Sequence, residues 1–374
     1  MYTVKHISPA IYVVNPLKRL LLKWLRRSNI LSFERVWQEH STFPRQLSLS
    51  LSLLCTSDCI YCAARGLNIA ARVMPYDLVM KILDEAQAAG FKGPISLSEN
   101  GEALVHPRFM DILRETRKRF PGNEIILFTN MVLLDEGKAR AILGQGVDLI
   151  RFNLDGASEA AYEYVKRNGK YQVVRQNIET LFRVREELKS PCRIGVGFVT
   201  AKSFSEDIEG KSGVFADDAL EILEFFKPLL RPGDEIGADP VTLEKYQFAI
   251  QRPKREPCDL FRRILDEMLV APNGQVYVCC ADYGVTSSLG NLTTQTIGGV
   301  WSGELRKTQL RHIYREKYSG AFKVCQTCMP SYHYTVNRDQ YLKVLKQVRS
   351  LFRRGELSIV DGQVRVQREA NDAR

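Results

Sequence analysis

No stretch of this chain is apolar for long enough to cross a bilayer, and its N-terminal region lacks a clean apolar h-region followed by a small-residue cleavage site. These absences argue against an integral membrane protein and a secreted one, and a cytoplasmic location is expected. Internal repeats and low-complexity tracts are also missing, which excludes a solenoid and a biased-composition linker. Histidine is scarce, with five in 374 residues and none at metal-ligand spacing. His106 and His333 lie near motifs described below, and for each a solvent-facing or locally bonded ring is the ordinary expectation. Basic excess is missing from the middle of the chain. The net charge of +10 divides into +6 over residues 1–46 and +4 over residues 336–374, so residues 47–335 are neutral. An enzyme that works on nucleic acid would carry a basic stripe beside its active site, so no nucleic-acid partner is expected.

Cysteine is what the chain does have. Nine are present, several at C-x2-C spacing, which in a cytoplasmic chain points to metal rather than disulfides. Cys55, Cys59 and Cys62 form a C-x3-C-x2-C run directly after the apolar segment 47–54. Four thiolates would close a zinc or iron–sulfur site. Three suit a 4Fe–4S cluster with one iron left for a ligand that is not protein, and a zinc knuckle is the plainer alternative.

From residue 47 to about 240, strand-like and helix-like segments alternate. The strand candidates are 47–54, 94–98, 124–128, 148–153, 193–199 and 234–238, and the helix candidates are 76–89, 107–119, 135–144, 171–188 and 215–229. Such alternation implies βαβ units and a parallel sheet. Six units are too few for a closed eight-stranded barrel, and the chemistry of parallel α/β folds sits at the C-terminal strand ends. Residues 258–335 read differently. Met268–Ala271 and Gln275–Cys279 are extended runs joined by Pro-Asn-Gly, a hairpin signal, followed by a helix over about 303–316.

The cysteine run and its setting resemble the radical S-adenosylmethionine (radical SAM) superfamily. The resemblance implies an α/β fold, a partial (β/α)6 TIM-like barrel over residues 47–245. It also implies SAM bound through its amino and carboxylate groups to the open iron of a 4Fe–4S cluster on Cys55, Cys59 and Cys62. Other motifs fall at strand ends in the family's order. Gly101-Glu102 resembles the Gly-Gly-Glu-Pro segment that approaches the SAM amino group, with Asn100 and Ala103 departing from it. Thr129-Asn130-Met131 resembles a Thr-Asn-Gly turn. Asn153, with Asp155-Gly156 after it, stands where a serine often reaches the SAM carboxylate, and Lys166 or Arg167 is a candidate second partner. Tyr61 stands where an aromatic lies near the adenine, although packing against the loop would explain it too.

Cys258, Cys279, Cys325 and Cys328 resemble the SPASM/twitch extension of the same superfamily, an α+β unit over residues 246–335. Four ligands suit one auxiliary 4Fe–4S cluster, making two clusters per chain, and structural zinc is the alternative. Adjacent side chains on the hairpin strand point to opposite faces, so only one of Cys279 and Cys280 should face the metal; Cys280 could replace Cys279 as ligand, and otherwise is a catalytic candidate as a hydrogen donor. Cys192 reads as a small buried hydrophobe. Three reactions fit the resemblance: oxidation of a secondary alcohol on a sugar or aminocyclitol, as in the deoxy-scyllo-inosamine dehydrogenase branch, epimerisation at a sugar carbon, or maturation of a peptide. A non-catalytic zinc protein is the rival from another class. The implied partners are a carbohydrate-like small molecule and a reductant such as flavodoxin or ferredoxin. Two basic appendages complete the chain. Residues 1–46 contain an amphipathic helix over 15–27, expected to dock on the barrel in preference to a membrane surface. Residues 336–374 read as a helix over about 338–354 and a hairpin.

Overall fold

The computed structural model of the chain describes residues 2–4, 33–59, 62, 73–200, 221–222, 224–240, 261–280, 282, 284–315, 317–327, 357–360 and 363–366. The expected helices 15–27 and 338–354, and Tyr61, Cys258, Cys328 and His333, lie outside these residues, as does the boundary at 245. Fourteen strands are numbered in chain order: β1 (Tyr2–Val4), β2 (Gln46–Leu49), β3 (Asp58–Cys59), β4 (Ile95–Ser96), β5 (Ile125–Phe128), β6 (Leu149–Asn153), β7 (Lys166–Arg167), β8 (Arg193–Thr200), β9 (Glu235–Pro240), β10 (Glu267–Val270), β11 (Gln275–Tyr277), β12 (Ser288–Asn291), β13 (Leu357–Val360) and β14 (Gln363–Val366).

Strands β2, β4, β5, β6, β8 and β9 lie side by side in that order, each pair parallel. Helices Tyr76–Ala88, Phe109–Arg119, Glu136–Gly144 and Tyr171–Glu187 fill the crossovers, and residues 221–222 and 224–226 of the expected helix 215–229 are helical. This is the sixfold α/β repeat read from the sequence. The six strands do not close on themselves, because β10 pairs with the outer edge of β2 and β1 with the outer edge of β9. Alternation along β2 defines two faces. Leu47, Leu49 and Leu51 join the core beneath the helices, whereas Ser48, Ser50 and Ser52 turn the other way, to the inner face. The helix Tyr76–Ala88 buries Leu78, Val79, Ile82, Leu83 and Ala86, a stripe at helical spacing that covers the outer face.

The edges hold what the sequence did not reveal. The hairpin β10–β11, expected in the C-terminal extension, continues the barrel's own sheet: β10 runs parallel to β2, with Glu267 opposite Gln46. At the other edge, the antiparallel pair β13–β14 forms as the tail pattern predicts, and β14 adds to β1, which adds to β9. An open parallel sheet would otherwise expose two rows of unpaired backbone groups, so extra strands at both edges satisfy them.

Under the sheet, Arg185 and Asp234 form an ion pair with both side chains fully buried. One guanidinium nitrogen reaches both carboxylate oxygens at 2.8 Å, and the same carboxylate accepts the amides of Ile194 and Arg231. Helix Tyr171–Glu187 is thereby fastened to β8 and to the turn before β9. Removing one member of a buried, bonded pair leaves the other charge uncompensated. Asp234→Ala is therefore expected to cost about 3–5 kcal/mol, read as a fall in the denaturation midpoint. A loss below about 1 kcal/mol, the range of an exposed pair, would show that the pair does not hold these elements together.

Candidate functional site

The cysteine loop leaves the C-terminal end of β2. Cys55 is at its exposed start, Cys59 is buried and Cys62 is intermediate, with the Cys62 amide donating to the Cys59 carbonyl at 3.0 Å. Asp58–Cys59 pairs antiparallel with Lys166–Arg167, so Cys59 sits opposite Lys166. This two-strand clip brings a segment more than a hundred residues away against the cysteine loop, which spacing alone does not reveal. Lys166 is itself buried and bonded to the buried Asp155 at 2.8 Å, while Arg167 is exposed. Among the described residues, no three His, Cys, Asp or Glu side chains converge closely enough to hold a single metal ion. A cubane takes one thiolate per iron and does not need that convergence.

Glu102 organises the neighbouring strand ends. Its side chain is fully buried; one oxygen accepts the Leu104 amide at 3.1 Å, and the other accepts the Asn130 amide at 2.7 Å and the Thr129 hydroxyl at 3.2 Å. Burial pushes its carboxyl pKa up against the opposing effect of these bonds. Its own amide donates to the Leu54 carbonyl at 2.9 Å, next to Cys55. Gly101 lies at φ +75°, where a Cβ would stand 2.1 Å from the Ser52 carbonyl, so only glycine allows this approach. Asn130 closes the circle, its side-chain Nδ2 donating to the Cys55 sulfur at 3.3 Å and to the Thr56 hydroxyl at 2.9 Å. Met131, which stands where the resembling turn has glycine, is buried at φ +67°. At the end of β6, Asn153 lies against Gly197, whose missing Cβ would meet the Asn153 Oδ1 at 2.3 Å.

The polar groups around the loop fit a sulfide-bearing cluster. The hydroxyls of Ser57, inside the cysteine run, and Tyr162 are buried with no hydrogen-bond partner among the described residues. Tyr162 lies within electrostatic reach of Cys59 and Cys55, and burial holds its phenol well above the ordinary value, protonated and able to donate. Burial also pushes the Cys55 thiol up, with Glu102 and Cys62 adding to the effect. Cluster sulfurs are acceptors, and metal charge favours the thiolate, so the donor set is complementary to that group.

At the other cysteine set, the hairpin brings Cys279 and Cys280 back toward the level of Glu267, because Tyr277 pairs antiparallel with Leu269. Cys279 packs against the main core, as Cys325 does, and Cys280 packs against the inner-face group Leu269, Ala271, Tyr277 and Val285. Asp282 fixes the turn after them. It accepts the Thr286 amide at 3.0 Å, the Thr286 hydroxyl at 2.9 Å, the Ser287 amide at 2.7 Å and the Ser287 hydroxyl.

A polar cluster with no motif in the sequence lies within electrostatic reach of Cys280. Glu267 accepts from Ser48, from Gln46 at 3.0 Å and from Arg263. Arg263 then reaches Glu99 Oε1 at 2.8 Å, with side chains 38% and 9% exposed respectively. Next to Glu99, the Asn100 amide donates to the Tyr277 hydroxyl at 3.2 Å. Burial, with Glu267 and Cys280 adding to it, pushes the Glu99 carboxyl up to about 8 despite Arg263. The one available signal was an acid two residues before Gly101.

Three thiols, a buried glutamate and an asparagine thus lie beyond the C-terminal ends of the parallel strands. The radical SAM superfamily profile matches residues 49–197 and the SPASM iron–sulfur cluster-binding domain matches residues 258–329, together more than half of the chain. The chain belongs to the radical SAM superfamily and carries a SPASM-type domain. Its cofactors are SAM, a 4Fe–4S cluster and an auxiliary iron–sulfur component. The chain is 32% identical over 159 residues to the tungsten-containing aldehyde ferredoxin oxidoreductase cofactor-modifying protein of Pyrococcus furiosus, a match over 42% of this chain and 44% of that protein. It is 23% identical over 312 residues to a GTP 3′,8-cyclase of Clostridium perfringens, 74% of this chain and 92% of that one. The fold is similar to tagged anSMEcpe with bound AdoMet, with a TM-score of 0.53 and 14% identity over 83% of this chain and 97% of that one.

Joint replacement of Cys55, Cys59 and Cys62 by alanine should remove about four irons per chain and abolish SAM cleavage; cleavage at the wild-type rate would place the SAM cluster elsewhere. Glu102→Gln, which loosens the hold of this side chain on Thr129 and Asn130, should retain the iron and weaken SAM binding indirectly, by roughly tenfold, through the displaced end of β5. An unchanged SAM affinity would show that SAM binding does not depend on this hold.

Proposed function

We propose that this enzyme oxidises a secondary alcohol of a sugar or aminocyclitol to a ketone. The observation that carries the reading is the charge balance of the inner face. Arg263 is paired with Glu99 and Glu267, and Arg151 with Glu235 at 2.6 Å. A nucleoside triphosphate, the kind of substrate named for the GTP 3′,8-cyclases, calls for cations that are not already neutralised. Among the described residues, a face of paired charges, hydroxyls and amides suits a neutral or amine-bearing polyol, which trades hydrogen bonds with such groups.

When bound, SAM and its cluster supply the 5′-deoxyadenosyl radical that removes the carbinol hydrogen, and the auxiliary cluster takes the remaining electron. The chain's own residues hold these groups. Cys55, Cys59 and Cys62 would ligate the first cluster, and Cys279 and Cys325, with Cys258 and Cys328, the second. Glu102, Asn130, Asn153 and Lys166 would orient SAM. A flavodoxin or ferredoxin would supply the starting electron in the cytoplasm. No helix of the described residues is long and apolar enough to cross a membrane.

Epimerisation is the second reading, favoured by the packing of Cys280 against the inner-face group, where a thiol could return a hydrogen atom. Substrate deuterated at the carbinol carbon separates the two. Oxidation should place deuterium in 5′-deoxyadenosine, consume one SAM per turnover and give a ketone two hydrogens lighter than unlabelled substrate. A product of unchanged mass that takes one deuterium from heavy water, with turnover lost in Cys280→Ala while SAM cleavage persists, would replace oxidation with epimerisation.

A further inference from the structure

We propose that Glu99, positioned by Arg263, accepts the hydroxyl proton of the substrate; the assignment rests on the oxidation reading above. Three features of the geometry support it. First, only one Glu99 oxygen is engaged: Oε1 takes the Arg263 bond, and Oε2 has no hydrogen-bond partner among the described residues. Glu102, three residues on, uses both of its oxygens on protein donors. Second, Arg263 is anchored from behind. Its Nε and Nη2 bond Glu267, which is itself held by Ser48 and Gln46, so the guanidinium presents a fixed edge to Glu99. Third, Glu99 stands between the two cysteine regions. The segment that carries it leads in three residues to Glu102, whose amide is bonded to Leu54 just before Cys55, while the Glu99 side chain lies within electrostatic reach of Cys280. A substrate between the two regions has its hydroxyl within the province of Glu99.

The step balances as follows. The carbinol C–H is broken by hydrogen-atom transfer to the 5′-deoxyadenosyl radical. The O–H proton moves to Glu99 Oε2, the C=O double bond forms, and one electron leaves to an oxidised auxiliary 4Fe–4S cluster. Glu99 must be ionised to act. Arg263 favours the ionised form, and Glu267 and Cys280, with burial, disfavour it; the Tyr277 phenol, itself pushed well above its ordinary value in part by Glu99, stays neutral. Ketone formation should therefore rise with pH through a value near 8.

The test compares wild-type holoenzyme with Glu99→Gln and Glu99→Asp, using carbinol-deuterated substrate. Retained iron and SAM affinity show that a variant is folded. In Glu99→Gln, ketone formation should fall at least about 100-fold, the lower range for general-base catalysis, while deuterium still enters 5′-deoxyadenosine. Glu99→Asp should restore part of the ketone yield. The wild-type rise near pH 8 should be absent from Glu99→Gln, and an isotope-edited infrared carboxyl band titrating in the same range should vanish with it. Wild-type ketone yield in Glu99→Gln, or an unchanged pH profile, would overturn the assignment and leave the oxidation reading standing. A wild-type enzyme that transfers deuterium but yields no ketone would overturn the oxidation reading and the role of Glu99 together.

Discussion

The fully buried Glu102 carboxylate must find donors for both oxygens, and that requirement fixes the geometry around the cysteine loop. Leaving such a group unsatisfied costs several kcal/mol. Its donors come from its own loop and from the end of β5, and its amide is bonded to the segment following β2. Three strand ends are thereby brought to one point, and the cysteine loop starts from that point. Asn130 receives the same organisation. Its amide nitrogen is held by Glu102, and its side chain reaches the Cys55 sulfur and the loop hydroxyl of Thr56. Glycine at 101 follows from the same constraint, because the loop must pass against the backbone at Ser52.

The segment 98–102 also couples the two cysteine regions. Glu102 belongs to the SAM-side network, and Asn100 and Glu99 belong to the group formed by Tyr277, Arg263 and Glu267 on the β10–β11 side. Because β10 adds directly to β2, the SPASM hairpin and the barrel share one sheet, and the inner face is continuous across the junction. A substrate on this face meets residues from both profile-matched regions. The family describes the cofactors, and the paired charges of this face are the ground on which the alcohol-oxidation proposal rests.

Much of this was legible in the sequence. The period-two alternation of Leu47, Leu49 and Leu51 with Ser48, Ser50 and Ser52 marks a strand with two distinct faces, and the six parallel strands fall where the apolar runs predict them. Cys55, Glu102 and Asn130 are singled out by short motifs that resemble the family's, and the structure bonds Glu102 to Asn130 and Asn130 to Cys55. What escaped depends on contacts across the chain. Lys166 reaches Cys59 through a two-residue strand pairing, and its bond to Asp155 has no sequence signature beyond opposite charge. Glu99 and Arg263 are 164 residues apart, and each alone resembles an ordinary surface charge. Edge pairing of β1 and β10 was likewise invisible, since an edge strand shows its partner only through the register of another segment.

The central claim is that two iron–sulfur sites flank one continuous inner face, with segment 98–102 between them. Anomalous scattering at the iron edge, from crystals of the anaerobically reconstituted protein, tests it most directly. The account predicts two groups of four irons, one on Cys55, Cys59 and Cys62 beyond the C-terminal end of β2, the other beside Cys279 and Cys325, with Glu99 turned into the space between. Iron at the first site alone, with zinc or no metal at the second, would contradict it.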